Sequence, residues 1–116
     1  MTAPRGSGGA AEAAAAAFLA HQGMTLTCSN YRCRRGEIDL VLQDGPWIVF
    51  VEVRLRTNPS FGSAAESIGP RKRARIIAAA RHYLAGNPER PCRFDVVLLD
   101  RLEPPRIEWI RDAFST

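Results

Sequence analysis

The chain has 116 residues, 46% of them hydrophobic, which suits a single domain that buries its own core. No apolar run approaches the roughly twenty residues that a membrane-spanning helix needs, so we expect no membrane partner. Sixteen Lys and Arg against twelve Asp and Glu give a net charge of +4, which favours an acidic partner such as nucleic acid. Three cysteines and two histidines without metal-ligand spacing argue against a zinc site and indicate free thiols in a reducing cytoplasm.

The first half of the chain predicts one helix and three strands. Residues 1–8 are rich in Gly, Ser and Pro and predict a disordered leader, so one folded domain spans residues 9–116. The alanine-rich segment that follows predicts a helix from Ala10 to Gln22, ended by Gly23. Strands are predicted over residues 24–31, 37–43 and 47–56, with Asp44-Gly45-Pro46 joining the last two as an antiparallel hairpin.

The second half predicts a loop, a helix and two more strands. Residues 57–67 are polar and contain Gly, so they predict a loop. A helix starts near Pro70, because proline is tolerated at the first helical position, and ends at Gly86. Strands over residues 92–99 and 106–110 complete the order α-β-β-β-α-β-β. This order predicts an α/β fold with a central mixed β-sheet flanked by helices.

The predicted hairpin brings two carboxylates together. With the register that the turn sets, strand alternation places Asp39 opposite Glu52 and Glu37 opposite Arg54. Directly opposed side chains lie within about 4.5–5.5 Å at Cβ, where like charges are destabilising. Such a pair needs a proton, a cation or a metal, and Mg²⁺, which prefers oxygen ligands, would relieve the repulsion. The same alternation places Ile38 with Leu40 and Leu42 on the opposite face.

Glu12 in the first helix is a third candidate metal ligand. It shares a helical face with Leu19, so it points toward the sheet if Leu19 is buried. A buried lone carboxylate is expensive and needs a partner. Two other interpretations stay open. Glu12 in the first turn can instead complement the helix dipole, and Glu37 and Asp39 can pair with nearby arginines.

Several motifs, taken in order, resemble one protein family. They are Asn30-Tyr31-Arg32, Gly36-Glu37-Ile38-Asp39-Leu40, Phe50-Val51-Glu52-Val53-Arg54-Leu55-Arg56 and Arg93-Phe94-Asp95-Val96-Val97, together with the segment from Lys72 to Leu84. In this combination, over roughly residues 9 to 110, the chain resembles the YraN-like uncharacterised protein family 0102 of predicted endonucleases. That family is grouped with the restriction-endonuclease-like fold, close to Holliday-junction resolvases.

The resemblance implies a restriction-endonuclease-like domain that cleaves DNA, including branched or structured DNA, with Mg²⁺ or Mn²⁺. It assigns the metal to Glu12, Asp39 and Glu52, with the backbone carbonyl of Val53 as a further ligand. Asp39, Glu52 and Arg54 would be the catalytic residues. Resolvase relatives pair as dimers, which makes a homodimer the assembly to test.

Two further acidic residues are candidates for supporting roles around the metal. Glu37 lies on the strand of Asp39, and Asp95 matches a position of the family. For Asp95 an ion pair with Arg93 or another Arg is an equally good interpretation.

Arg54 is the departure from the family pattern, which has Lys at this position. Arg keeps the positive charge but is effectively never deprotonated, so Arg54 can stabilise a pentacovalent phosphorane and cannot act as a general base. Either activity is reduced, or the domain has lost catalysis and only binds. Lys72 is a candidate stand-in if the second helix packs beside the hairpin.

The basic residues are clustered rather than evenly spread. Such clusters suit the phosphate backbone of nucleic acid, although they also occur as plain solvated surface. A non-catalytic nucleic-acid-binding module and an adaptor for a protein partner are therefore alternatives to the nuclease. The predicted nucleic-acid contacts are Arg32, Arg34, Arg35, Arg56, Arg71, Lys72 and Arg75.

Overall fold

The computed structural model describes residues 6–55, 68–87, 89–102 and 104–116. Its elements are α1 (Gly6–His21), β1 (Thr25–Cys33), β2 (Gly36–Asp44), β3 (Trp47–Leu55), α2 (Pro70–Tyr83), β4 (Cys92–Leu102) and β5 (Pro105–Phe114). The strands form one sheet in the order β1-β2-β3-β4-β5, in which β3 and β4 run parallel and all other neighbours antiparallel. This mixed sheet and the element order confirm the predicted α/β fold. Neither helix of the described ranges is long and apolar enough to cross a membrane.

Helix α1 begins at Gly6 rather than near Ala10. The disordered leader over residues 1–8 stays a prediction: residues 1–5 lie outside the described part of the chain, and residues 6–8 form the first turn of α1. Glycine has a helix propensity about 1 kcal/mol poorer than alanine, so the sequence signal starts only at the alanine run. Helix formation is cooperative, and a turn that the alanine segment has nucleated extends into the preceding residues at the gain of one hydrogen bond per residue.

Each face of the sheet buries its own hydrophobic cluster. The α1-side core contains a stripe of buried α1 residues four positions apart, Ala11, Ala15 and Leu19, which lie on one face of the helix. The α2-side core contains Ile76 and Ala79, on the apolar face of α2. The helices therefore flank the sheet on both sides, as the element order predicts.

The β2–β3 hairpin has the predicted register over most of its length. Gln43 pairs with Ile48, and the regular pairing ends at Leu40 and Val51. Alternate residues of β3 divide between the two cores as expected, with Val51 in the α1-side core and Ile48 in the α2-side core. Asp39 and Glu52 are the residues next to the last pair, so the hairpin places them close together where the two strands stop pairing.

Ile38 is the exception to the predicted alternation. It packs in the α2-side core, whereas Leu40 packs in the α1-side core, so the prediction that they share a face is wrong. Asn30 on the neighbouring strand has a φ of 55°, in the left-handed region, which interrupts the regular backbone beside Asp39. The period of two holds only for unbroken strands, so it cannot place side chains across this irregularity.

Helix α2 contacts the beginning of β2 through main-chain atoms. A Cβ at Gly36 would lie 1.9 Å from the carbonyl oxygen of Arg75, which is part of the helix backbone. Only glycine allows this approach. The contact holds the first half of α2 beside the hairpin, which is the condition for Lys72 to reach the carboxylates.

Candidate functional site

Asp39 lies where β2 and β3 separate. Its Oδ2 accepts a hydrogen bond of 2.8 Å from the backbone N–H of Val53. This bond engages a donor of β3 beyond the end of the regular pairing and holds the carboxylate of Asp39 beside Glu52. The expected proximity of the two acids is observed. It results from the hydrogen bond between the Asp39 side chain and the backbone of Val53, because the backbone pairing of β2 with β3 ends one residue earlier.

Glu52 is a buried acid, 4% exposed. Its Oε2 lies 3.2 Å from Arg54 Nε and 3.7 Å from Lys72 Nζ. Its Oε1 is also buried and has no hydrogen-bond partner among the described residues. A buried carboxylate oxygen in this condition is costly unless a proton or a cation occupies it.

The environment raises the pKa of Glu52 to about 8, chiefly because burial penalises the charged form and then because Asp39 is close. The close approach of the Asp39 carboxylate to that of Glu52 adds to this rise in pKa, and the cations Lys72 and Arg54 oppose it. The two acids therefore compete for charge, which is the electrostatic condition that a divalent ion relieves.

Glu12 adjoins this pair from helix α1. Burial raises the pKa of Glu12 first, the negative charge of Asp39 raises it second, and a hydrogen bond from Asn30 lowers it. Within the described ranges, no group of three or more His, Cys, Asp and Glu side chains is already arranged to hold a metal ion. The donor chemistry nevertheless fits a hard divalent ion, because Asp39 and Glu52 bring their carboxylates close together and Glu52 Oε1 has no partner in the part of the chain that the structure describes.

Glu37 does not face Arg54, so that predicted pairing is wrong. The regular pairing of β2 with β3 ends before this position. Glu37 instead lies 3.5 Å from Arg32 Nε and 3.9 Å from Lys72 Nζ. The interpretation that Glu37 pairs with a nearby arginine is thus observed, and Lys72 links Glu37 to Glu52.

Arg54 is held close to Glu52 on the same strand. Its Nε lies 3.2 Å from Glu52 Oε2, yet the N–H is not aligned with that oxygen, and Nε has no hydrogen bond within the described part of the chain. The contact is therefore an ion pair and not a well-formed charged hydrogen bond. Arg54 supplies fixed positive charge next to the acid pair.

Four of the predicted nucleic-acid contacts are exposed arginines on the turn after β1 and on α2. Arg34 and Arg35 follow β1, and Arg71 and Arg75 lie on the exposed part of α2. Because Gly36 contacts the backbone of Arg75, the turn and the helix carry these two clusters against one another. Arg32 and Lys72 join this surface to the acids through Glu37. Arg56 lies outside the described residues.

Asp95 is fully buried and fully partnered. Arg93 Nε lies 3.1 and 3.3 Å from its two oxygens, and Trp109 Nε1 donates a bond of 3.0 Å. The backbone N–H of Asp112 donates another of 2.9 Å. The pairing with Arg93 was foreseen, and the Arg93-x-Asp95 spacing on one strand face is the signal for it. The bonds from Trp109 and Asp112 had no sequence signal, because they depend on the irregular β4–β5 pairing.

Comparison with known proteins identifies relatives along nearly the whole chain. A model described as Uncharacterised protein family UPF0102 matches residues 11–99. A UPF0102 protein of Nitrosomonas europaea is 51% identical over 116 residues, covering 99% of this chain and 98% of the relative. A UPF0102 protein of Nitrosospira multiformis is 53% identical over 109 residues, covering 93% and 92%. One of Pseudomonas aeruginosa is 48% identical over 117 residues, covering 96% and 94%.

Proposed function

The chain belongs to the uncharacterised protein family UPF0102, a name that assigns no activity, and from its site we propose a metal-dependent endonuclease. The enzyme would hydrolyse phosphodiester bonds in DNA, including branched or structured DNA. One observation carries the proposal. Glu52 is buried beside Asp39, and among the described residues one of its carboxylate oxygens has no hydrogen-bond partner. Such an arrangement costs stability, and a bound divalent ion would make it favourable.

The metal ligands would be Asp39 and Glu52, joined by Glu12 and the backbone carbonyl of Val53. Mg²⁺ or Mn²⁺ in this site supplies Lewis-acid activation of water and neutralises charge on the phosphate. Arg54, held beside Glu52, adds a fixed positive charge where the transition state becomes more negative. Arg54 cannot accept a proton, so its role is electrostatic.

The proposed reaction consumes one water molecule for each bond cleaved. The water oxygen forms a bond to phosphorus, and the bond between phosphorus and one deoxyribose oxygen breaks. That oxygen takes up a proton to become a hydroxyl group, and the proton lost from the water passes to solvent. The products are a phosphomonoester end and a free hydroxyl end.

The exposed basic surface supports DNA as the partner. Arg34, Arg35, Arg71 and Arg75 are exposed, and the Gly36 contact brings the turn after β1 against α2, so these arginines are available to bind backbone phosphates. We include a homodimer and a cytoplasmic location in the proposal. All three cysteines are free thiols, which supports a reducing compartment.

The test is cleavage of matched DNA substrates by the wild-type chain and by single variants. Duplex, single-stranded and four-way junction DNA of the same sequence are incubated with Mg²⁺, with Mn²⁺ or with a chelator. We expect metal-dependent cleavage that Asp39→Ala and Glu52→Ala each reduce by at least about 100-fold. Glu108→Ala, which removes an exposed acid of β5, is the matched control. Cleavage at the wild-type rate by both site variants would refute the proposed site.

A non-catalytic nucleic-acid-binding module is the second candidate, and the basic surface is what favours it. This surface consists of arginines that lie outside the acid pair, so binding does not require the carboxylates. The module predicts salt-dependent DNA binding that survives Asp39→Ala and Glu52→Ala, with no cleavage in either metal. That result would replace the nuclease proposal.

A further inference from the structure

Lys72 is the single lysine of the chain, and the structure places it inside the acidic site. Its Nζ lies 3.7 Å from Glu52 Oε2 and 3.9 Å from Glu37 Oε1. Both carboxylates lie on the hairpin, whereas Lys72 lies in the first turns of α2. The amine therefore joins the site from a different element than Arg54 does.

Neither contact of Lys72 engages its hydrogen-bond donors closely. An N–H···O bond spans about 2.7–3.2 Å between heavy atoms, and both Lys72 distances exceed this range. The ammonium group balances the two acids by charge and can still direct its three N–H groups to another oxygen. Its side chain is 26% exposed, against 5% for that of Glu52, so the Lys72 amine is more accessible to solvent than the Glu52 carboxylate.

Two cations, Arg54 and Lys72, lie near Glu52 Oε2, and a metal ion bound to the acids would add further positive charge at this point. With no metal, Arg54 and Lys72 are the positive charges that favour ionised Glu52. A divalent ion bound to the acids takes over this charge balance. The shorter contact to Arg54, from the same strand, then persists more readily than the longer one to Lys72, whose flexible side chain can turn toward solvent.

We propose that Lys72 is a catalytic residue that binds a non-bridging oxygen of the scissile phosphate once the acids hold metal. The ammonium group of Lys72 would donate to this oxygen and stabilise the negative charge that develops in the transition state. Lys72 thereby supplies from α2 the amine that β3 lacks at Arg54. This inference rests on the proposed nuclease function and adds one residue to it.

The Gly36 contact supports a fixed position for this amine. The backbone of α2 cannot move toward β2, because the Arg75 carbonyl already touches the only residue type that fits there. The helix also begins with Pro70, whose ring fixes the backbone two residues before Lys72. A donor that acts on a transition state needs such a preorganised position.

The kinetic test compares Lys72→Ala and Lys72→Gln with Arg81→Ala, which removes an exposed cation from the last turn of the same helix. We expect both Lys72 variants to lower the single-turnover rate about 100-fold or more, with DNA affinity changed only a few-fold. Arg81→Ala should cleave as the wild type does. Added ethylammonium should restore part of the rate of Lys72→Ala, because it supplies a mobile amine to the vacated space, and a purely structural role would give no such rescue.

A second measurement uses the single lysine as a probe. Selective ¹³C-lysine labelling yields one set of lysine ε-CH₂ signals, which report the group next to Nζ. With Ca²⁺ in place of Mg²⁺, we expect these signals to shift on addition of a phosphorothioate duplex. An unchanged lysine signal in a complex that binds DNA would overturn the proposal.

The outcomes separate this inference from the proposed function. If both Lys72 variants cleave at the wild-type rate while Asp39→Ala and Glu52→Ala are inactive, the nuclease stands and the role of Lys72 is refuted. If the wild-type chain cleaves none of the substrates in either metal, both proposals fail. Circular dichroism of each variant identifies loss of folding, and Lys72→Gln retains a polar side chain in case Lys72→Ala does not fold.

Discussion

Two buried acids in the same sheet have opposite surroundings. Asp95 accepts hydrogen bonds from Arg93, Trp109 and Asp112, and both of its oxygens are engaged. Glu52 has two cations near one oxygen and no hydrogen-bond donor, within the described residues, at the other. The described residues therefore satisfy both oxygens of Asp95, whereas they leave one oxygen of Glu52 without a hydrogen-bond donor.

The difference teaches how to separate structural from functional acids when both are buried. Burial alone does not distinguish them, since Asp95 is 0% exposed and Glu52 4%. The supply of donors does distinguish them, because a satisfied charge contributes to folding and an unsatisfied one opposes it. Removal of the Asp95 charge should therefore lower the stability of the fold, and removal of the Glu52 charge should raise it.

Removal of the Asp95 charge should have the largest effect on stability. Asp95→Asn removes the fully buried carboxylate that accepts from Arg93, Trp109 and Asp112, leaves Asp44 as the remaining partner of Arg93, and turns an amide N–H₂ toward other donors. We therefore expect a loss of about 3 kcal/mol in the free energy of unfolding. Urea denaturation measures it. Asp100→Asn is the matched control, because Asp100 pairs with the exposed Arg106 on the neighbouring strand and should change stability by less than about 1 kcal/mol. If both variants changed the free energy of unfolding equally, Asp95 would have no special structural role.

Removal of the Glu52 charge should act in the opposite direction. The pKa of Glu52 rises from its ordinary 4.5 to about 8 on folding, so the folded protein binds a proton that the unfolded chain has released. Stability in metal-free buffer therefore falls as pH rises from 4.5 to 8. Glu52→Gln, which cannot ionise, should be more stable than the wild type at pH 9 and equal to it near pH 4.

The comparison of Glu52→Gln with Glu108→Gln isolates this effect from other titrating groups. Glu108 is an exposed acid of β5, and its neutralisation should leave the pH dependence of wild-type unfolding unchanged. If the stability difference between Glu52→Gln and the wild type did not vary with pH, the raised pKa of Glu52 in the folded state would be contradicted.

Metal should have the smallest of the three effects. An ion at ten times its dissociation constant stabilises the folded state by about 1.4 kcal/mol, which raises the midpoint of thermal unfolding by roughly 5 °C. We expect this rise with Mg²⁺ or Mn²⁺ in the wild type and in Glu108→Gln, and its loss in Glu52→Gln. An equal rise in all three proteins would place the ion elsewhere, and Glu52 would then resemble Asp95 in having no metal to bind.

The sequence was sufficient for the fold where local signals agree. Valine-rich strands, the Asp44-Gly45-Pro46 turn and Pro70 at the start of α2 each specify one local structure. The hairpin register followed from the turn, and with it the proximity of Asp39 to Glu52. This much of the candidate site therefore depends on short-range rules.

What could not be predicted depends on contacts between distant segments or on breaks in periodicity. Ile38 changes face beside the positive φ of Asn30, which no period of two describes. Glu37 meets Lys72 and not Arg54, because the strands separate and α2 fills the space. A donor from another element has no fixed sequence spacing to its acceptor, and its partner becomes visible only in three dimensions.

The close contact between Gly36 and Arg75 also bears on how such a site can be transferred or altered. A hairpin grafted alone onto another scaffold would carry both acids but leave the amine behind, since main-chain atoms of two distant segments encode its placement. Conversely, an insertion in the turn after β1 would shift the amine without changing a single side chain of the site. Any transfer of this site to another protein should therefore keep Gly36, although this residue has no side chain to contribute.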